Sequence, residues 1–238
     1  MEAPTEAQRV GIDREGGTMN GFLCLPAEEG RRPAVAVVHE IYGVTGHTED
    51  LTCRFARQGY VTLAPDLFWR VGTPNPSDFT DRAAFLRFRQ SLDDEEMLAS
   101  LDAAVAYLRA LPQVDVAHVG IVGFCMGGYY AFLEAAHNPS LAACVGFYGA
   151  PVPPLLQRVE EMRVPVLGLF GEEDQSIPVE QVHQLEAALR RVGTPVEVHL
   201  YPGAGHAFFN DTSPTYRRHA AEDAWPIVLT FFGNYLKT

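Results

Sequence analysis

The chain has 238 residues, a formal net charge of −12 and 47% apolar content. That acidic balance argues against partners such as nucleic acid or an anionic membrane surface, and an anionic substrate would need a local arginine to hold it. No run approaches the roughly 18 apolar residues of a membrane span, and Met1-Glu2-Ala3-Pro4-Thr5-Glu6 lacks the basic start and apolar core of a signal peptide.

In chain order, residues 8–13 and 18–25 alternate as an antiparallel hairpin around Glu15-Gly16-Gly17. After a charged loop, Ala34-Val35-Ala36-Val37-Val38-His39 has the continuous apolar character of a strand buried on both faces. A helix is expected over 48–58 and a second buried strand over 60–64. Residues 68–79 carry Gly72, Pro74 and Pro76 and read as an irregular wall over a site. Helices follow over 81–90 and 93–111, then a strand over 119–122 and a helix from about residue 127. Beyond these come a strand over 142–148, a proline-rich loop (Pro151, Pro153, Pro154) and a strand over 164–170. A helix over 179–191, a strand over 196–201 and a last helix over 215–236 complete the chain. Strands alternating with helices predict an α/β fold in one domain spanning 1–238. Its mostly parallel, twisted sheet would have seven or eight strands and helices on both faces. The site of such a sheet lies beyond the carboxyl ends of its strands.

Four of those ends carry reactive groups. Gly123-Phe124-Cys125-Met126-Gly127 matches a nucleophile elbow with cysteine in place of serine. Its glycines are required because side chains two residues either side of the strained nucleophile would collide. The following helix N-terminus favours a thiolate and an oxyanion. The strand over 164–170 is followed by Gly171-Glu172-Glu173-Asp174, and the strand over 196–201 by Gly205-His206-Ala207-Phe208. Nucleophile, acid and histidine thus appear in the chain order of the elbow-bearing hydrolases. Histidine would take the thiol proton, and a buried carboxylate would hold the ring. Asp174 is preferred over Glu172 and Glu173 because Ser176-Ile177-Pro178 leads on into a helix. At the fourth end, Glu40-Ile41-Tyr42-Gly43, the backbone of Ile41 is the candidate to share an oxyanion hole with Met126.

These segments, together with Ala64-Pro65-Asp66-Leu67-Phe68 and Val145-Gly146-Phe147-Tyr148-Gly149, resemble the dienelactone hydrolase family (carboxymethylenebutenolidases) in register from about residue 10 to 236. The resemblance implies an α/β-hydrolase fold and a usually monomeric cytosolic enzyme without metal or other cofactor. It also implies that a small lactone or ester is hydrolysed through a Cys125 thioester, with Asp174 and His206 completing the triad. Glu40 is implied to pair with the thiol at rest and to take its proton when substrate binds, while His39 is structural. Tyr42, Arg82 and Asn210 are the expected substrate contacts.

Members specific for dienelactone hold the substrate carboxylate with two arginines. Arg82 falls near the first position, where a plain surface arginine is the equal alternative. Asn210 occupies the second, and Leu86 stands where a tyrosine is expected. A neutral amide cannot make a bidentate clamp, so a general small-ester carboxylesterase is the alternative reading. Arg70, Arg217 and Arg218 are the arginines left to compensate. A cysteine-elbow amidotransferase or peptidase would place its acid two residues after the histidine, where this chain has Phe208. A non-catalytic binding member would be expected to lack a triad residue, and none is missing. The four cysteines show no metal or C-x-x-C spacing; Cys24, Cys53 and Cys144 read as small core residues in a reducing cytoplasm that leaves Cys125 free.

Overall fold

The computed structural model describes residues 4–28, 30–79 and 81–237, without the side chains of Pro76 and Arg82. The alternating start forms the hairpin β1 (Thr5–Arg14) and β2 (Gly17–Pro26). It is followed by β3 (Arg32–Val38), α1 (Gly46–Arg57), β4 (Val61–Pro65), α2 (Arg82–Ser91) and α3 (Asp94–Ala110). Next come β5 (Val114–Phe124), α4 (Met126–His137), β6 (Ala143–Phe147), α5 (Pro153–Arg158) and β7 (Val166–Gly171). The chain ends with α6 (Val179–Arg191), β8 (Val196–Tyr201) and α7 (Arg218–Leu236). The strands form one eight-stranded sheet in the order β1-β2-β4-β3-β5-β6-β7-β8. β2 runs antiparallel to β1 and β4, and the pairs from β4 to β8 are parallel. This is the mostly parallel α/β sheet that the alternating pattern implies, in the α/β-hydrolase architecture that the resemblance implies.

Both faces are covered. In a strand, residues an odd number apart point to opposite sides. A side chain on Gly120 would meet Phe232 and Leu236 of α7, whereas one on Gly123 would meet the backbone of α4. On the α7 side, Phe55 of α1 packs on Trp225 with ring centroids 4.8 Å apart. On the other side, the first turn of α3 is tied to the nucleophile helix. Asp94 accepts hydrogen bonds from Tyr129 at 2.9 Å and Tyr130 at 2.8 Å, and pairs with Arg89 at 3.1 Å.

Three features differ from the expectation. β5 starts at Val114, because Arg32 pairs with Val114 before the register shifts and resumes at Ala34 with Val119. The proline-rich stretch holds α5, with proline in the first turn, where a missing N–H leaves no hydrogen bond unmade. Finally, Cys24 and Cys53 are not separate core thiols. They form a disulfide between β2 and α1, with Cα atoms 5.4 Å apart. The pair is distant in sequence and juxtaposed only when α1 packs on the hairpin, so spacing alone gives no sign of it. Because disulfides persist in oxidising surroundings, the cysteines lend no support to a reducing cytoplasm. Cys144 is a buried core thiol, donating to the Ala131 carbonyl at 3.2 Å. Among the described residues no helix is long and apolar enough to cross a membrane.

The disulfide closes a loop between residues 29 apart in sequence. By loop-closure entropy it contributes about 3–4 kcal/mol. Cys24→Ser/Cys53→Ser should therefore lower Tm by roughly 10 °C in the absence of reductant. An unchanged Tm, or four titratable thiols in the unreduced, denatured parent, would contradict the bond.

Glu134 lies in the middle of α4, fully buried, with one oxygen 3.1 Å from the Asn138 amide. Burial, reinforced by the Asp102 carboxylate, pushes its carboxyl up to about 8. The unfolded chain ionises at lower pH, so stability falls as pH rises from the usual carboxylate range through about 8. Glu134→Gln should raise Tm at pH 9 and leave it nearly unchanged at pH 4, as read by calorimetry; an equal gain at both pH values would count against this origin.

Candidate active site

The site forms where β3, β5, β6, β7 and β8 end. Cys125 sits between β5 and α4 with φ 56° and ψ −117°. A non-glycine residue held in that region costs about 1–3 kcal/mol, so the neighbours must hold it there. A Cβ on Gly123 would run into the Gly127 carbonyl, and one on Gly127 into the carbonyls of Val38 and His39. Only glycine lets the three backbones approach. The Cys125 amide donates to the Phe147 carbonyl at 3.0 Å, fixing the elbow against β6. Tyr148 (φ 38°) and Ala207 (φ 59°) share the left-handed conformation; these three residues are the non-glycine cases among the described residues, and all lie at this site.

Asp174 is buried beyond β7. Its Oδ1 accepts from the amides of Ser176 at 2.8 Å and Ile177 at 3.2 Å, and its Oδ2 lies 2.6 Å from His206 Nδ1. Glu172 and Glu173 are exposed. A side chain on Gly171 would collide with the Ala204 carbonyl, so glycine there lets the acid loop lie against the histidine loop. His206 Nε2 in turn lies 3.1 Å from Cys125 Sγ. Burial disfavours the imidazolium, but the Cys125 sulfur and the Asp174 hydrogen bond outweigh it and push His206 up to about 11. The contact places the ring of His206 to take the proton of the Cys125 thiol.

Glu40 is placed differently from the arrangement implied by the resemblance. It makes no hydrogen bond to Cys125 among the described residues. Its Oε2 accepts from Asn210 Nδ2 at 2.7 Å, and its Oε1 accepts from the Tyr148 hydroxyl at 3.3 Å. The Asn210 amide, expected to face substrate, is thus occupied by Glu40. Tyr148 is fully buried, and its ring lies 5.2 Å from that of His206. Burial first, then Glu40 and Cys125, raise its hydroxyl far above the usual phenol range. In the sequence Tyr148 stands out only as part of a motif; its contact with Glu40 joins residues 108 positions apart and leaves no local pattern.

Ile41 and Met126 are buried, and neither backbone amide has an acceptor among the described residues. Met126 opens α4, where helix geometry leaves the first amides unpaired. Tyr42 is 39% exposed at the rim and packs on Phe79 of the irregular segment with ring centroids 5.8 Å apart. Phe79 also lines a cavity of about 380 Å³ with Thr73, Arg87 and Phe88. The Arg82 side chain lies outside the described residues. Leu86 is exposed. Arg70 pairs with Glu96 at 3.0 Å, Arg217 donates to the Gly203 carbonyl at 3.1 Å and Arg218 pairs with Glu222 at 2.7 Å, so all three guanidinium groups have partners. No cluster of side chains suited to a metal ion occurs among the described residues.

The pattern described as the dienelactone hydrolase family matches residues 19–236. The chain belongs to that family. A Methylorubrum extorquens protein provisionally named carboxymethylenebutenolidase is 37% identical over 238 residues, covering 96% of this chain and 81% of that protein. An Escherichia coli K12 protein with the same provisional name is 37% identical over 249 residues, covering 99% and 90%. A solved Klebsiella pneumoniae structure, provisionally described as a dienelactone hydrolase, superposes with a TM-score of 0.90 at 34% identity. The match covers 98% of this chain and 100% of that one. This member of the dienelactone hydrolase family is accordingly a lactone or ester hydrolase with a small-molecule substrate.

His39 braces the loop after β3. The Leu67 amide donates to its Nε2 at 3.1 Å, which leaves Nδ1 as the protonated nitrogen that donates to the Glu40 carbonyl at 2.6 Å. Burial lowers its pKa, keeping the ring neutral. An unfolded histidine gains a proton near pH 6.5 while this one resists, so stability should fall as pH drops below about 6.5. His39→Asn, which keeps a donor and an acceptor but cannot titrate, should flatten the fall in Tm between pH 7.5 and 5.5; an equally steep fall would show that other groups cause it.

Proposed function

We propose that this chain hydrolyses small lactones and carboxylic esters through a thioester on Cys125. The observation that carries the reading is the in-line contact of Asp174, His206 and Cys125, at 2.6 Å and 3.1 Å, beneath a helix N-terminus. The thiolate attacks the carbonyl carbon, and the tetrahedral oxyanion accepts from the amides of Ile41 and Met126. As the C–O bond breaks, the His206 imidazolium gives its proton to the departing oxygen. In a lactone that oxygen stays tethered to the acyl group. An enolate leaving group needs less help, which favours enol lactones over alkyl esters. Neutral His206 then takes a proton from water; the resulting hydroxide attacks the thioester and the free acid leaves, regenerating the pair. Asp174 holds the ring's tautomer throughout.

A general small-ester carboxylesterase is the second reading, and Asn210 favours it. The amide that stands in place of a carboxylate-binding arginine is engaged by Glu40, so neutral esters should be hydrolysed at least as well as anionic lactones. The triad and the free thiol speak against a non-catalytic binding role. We take the chain to act as a monomer without cofactor.

Cys125→Ala should reduce kcat/KM for p-nitrophenyl acetate by roughly 10³-fold or more, with Tm retained. Cys125→Ser should be nearly as poor, since the pair is set for a thiol. Undiminished turnover by the alanine variant would defeat the assignment, and a marked preference for dienelactone over neutral esters would defeat the second reading.

A further inference from the structure

The carbonyls of residues 206, 207 and 208 are all held, but by donors of different kinds. The Ala207 carbonyl accepts from the Asn210 N–H at 3.1 Å and the Phe208 carbonyl from the Arg217 N–H at 2.9 Å. Both donors are backbone groups, which any residue but proline supplies. The His206 carbonyl accepts instead from a side chain, the Thr215 hydroxyl, at 2.6 Å. Thr215 is exposed, so packing of the core makes no demand for a hydroxyl at that position.

The local sequence prepares that hydroxyl. Ser213-Pro214-Thr215-Tyr216 forms a β-turn, closed by the Tyr216 N–H donating to the Ser213 carbonyl at 3.1 Å, with proline at the position whose φ it presets. Within the turn the Thr215 N–H donates to Ser213 Oγ at 3.3 Å, and the two hydroxyl oxygens lie 2.8 Å apart. A carbonyl can only accept, so the Thr215 hydroxyl proton goes to His206, and the proton between the hydroxyls is that of Ser213. The hydrogen bonds therefore run one way, from the Thr215 amide through both hydroxyls to the His206 carbonyl, each polarising the next.

The bond acts beside a strained residue. Ala207 is held at φ 59°, a conformation that a residue with a Cβ leaves when its restraints are removed. The carbonyl gripped by Thr215 belongs to the peptide joining His206 to Ala207. Relaxation of Ala207 would turn that peptide and move the His206 side chain with it, away from its contacts at 2.6 Å with Asp174 and 3.1 Å with Cys125. A shift of about 1 Å in a reacting group costs up to roughly a hundredfold in rate.

We propose that Thr215 is a positioning residue of the reaction. From the surface, its hydroxyl locks the peptide after His206 and so keeps the imidazole in register with Asp174 and Cys125. The proposal rests on His206 serving Cys125, and adds to that reading a residue that acts through the backbone of His206. Because the bond sets orientation and not affinity, its loss should fall on kcat and spare KM.

The test compares two variants of the full-length chain hydrolysing p-nitrophenyl acetate. Thr215→Val keeps the branched shape and removes the donor; Thr215→Ser keeps the donor. Thr215→Val should lower kcat about tenfold, with KM within about twofold and Tm within about 2 °C of the parent. Thr215→Ser should bring kcat back to within about twofold of the parent. In the resting protein the proton between His206 Nδ1 and Asp174 gives a far-downfield NMR resonance, assigned by its absence from Asp174→Ala. That resonance should shift in Thr215→Val and stay in place in Thr215→Ser. Should Thr215→Val fold poorly, Thr215→Ala carries the same comparison. A donor-free variant whose kcat lies within twofold of the parent overturns the proposal. So does a loss that serine does not restore, or a resonance that stays in place when the donor is removed. Turnover by Cys125→Ala tests the nucleophile separately, and the resonance reports on His206 without any turnover, so failure of the Thr215 role and failure of the reading beneath it remain distinguishable.

Discussion

The left-handed backbone at Cys125 is the constraint on which the remaining structure depends. With φ 56° the residue lifts its sulfur out of the sheet edge, and the conformation survives only because glycines at 123 and 127 let three backbones meet without a Cβ between them. The neighbouring strands then have fixed duties. β6 supplies the carbonyl that receives the Cys125 amide, β7 presents a buried carboxylate, and the loop after β8 delivers the imidazole. That Tyr148 and Ala207 adopt the same uncommon conformation shows the cost spread over the site. The wide, apolar, doubly covered sheet beneath it offsets that cost.

Much of this was legible because local chemistry and global fold agree. The buried run at 34–38 could only be a central strand, and the glycine spacing around Cys125 has a steric explanation that requires no structure. Asp174 was favoured over two neighbouring glutamates on the form of the loop that follows, and it is the one of the three that is buried beside His206. What stayed hidden depends on contacts between distant segments. The Cys24–Cys53 bond needs α1 folded onto β2, and the short α5 began where prolines read as a loop. Glu40 follows the buried run that forms β3, but its partners, Tyr148 and Asn210, lie 108 and 170 residues further on.

Position 210 also shows how one replacement redistributes a site's electrostatics. An arginine there would serve both Glu40 and an anionic substrate. Asparagine satisfies Glu40 through one directional hydrogen bond and leaves no surplus charge. The net charge is −12, and Arg70, Arg217 and Arg218 are engaged elsewhere. The cavity beside the exposed ring of Tyr42 is lined by Phe79 and Phe88 together with Thr73, Asp78 and Arg87.

Trapping the covalent intermediate is the most direct test of the Cys125 chemistry. Mixing the protein with excess p-nitrophenyl acetate, quenching in acid within the first turnover and mapping peptides by mass spectrometry should place an acetyl group on the peptide containing Cys125, labile to hydroxylamine as a thioester is. Rapid release of p-nitrophenol with that peptide unmodified, or with the acyl group on another side chain, would contradict it.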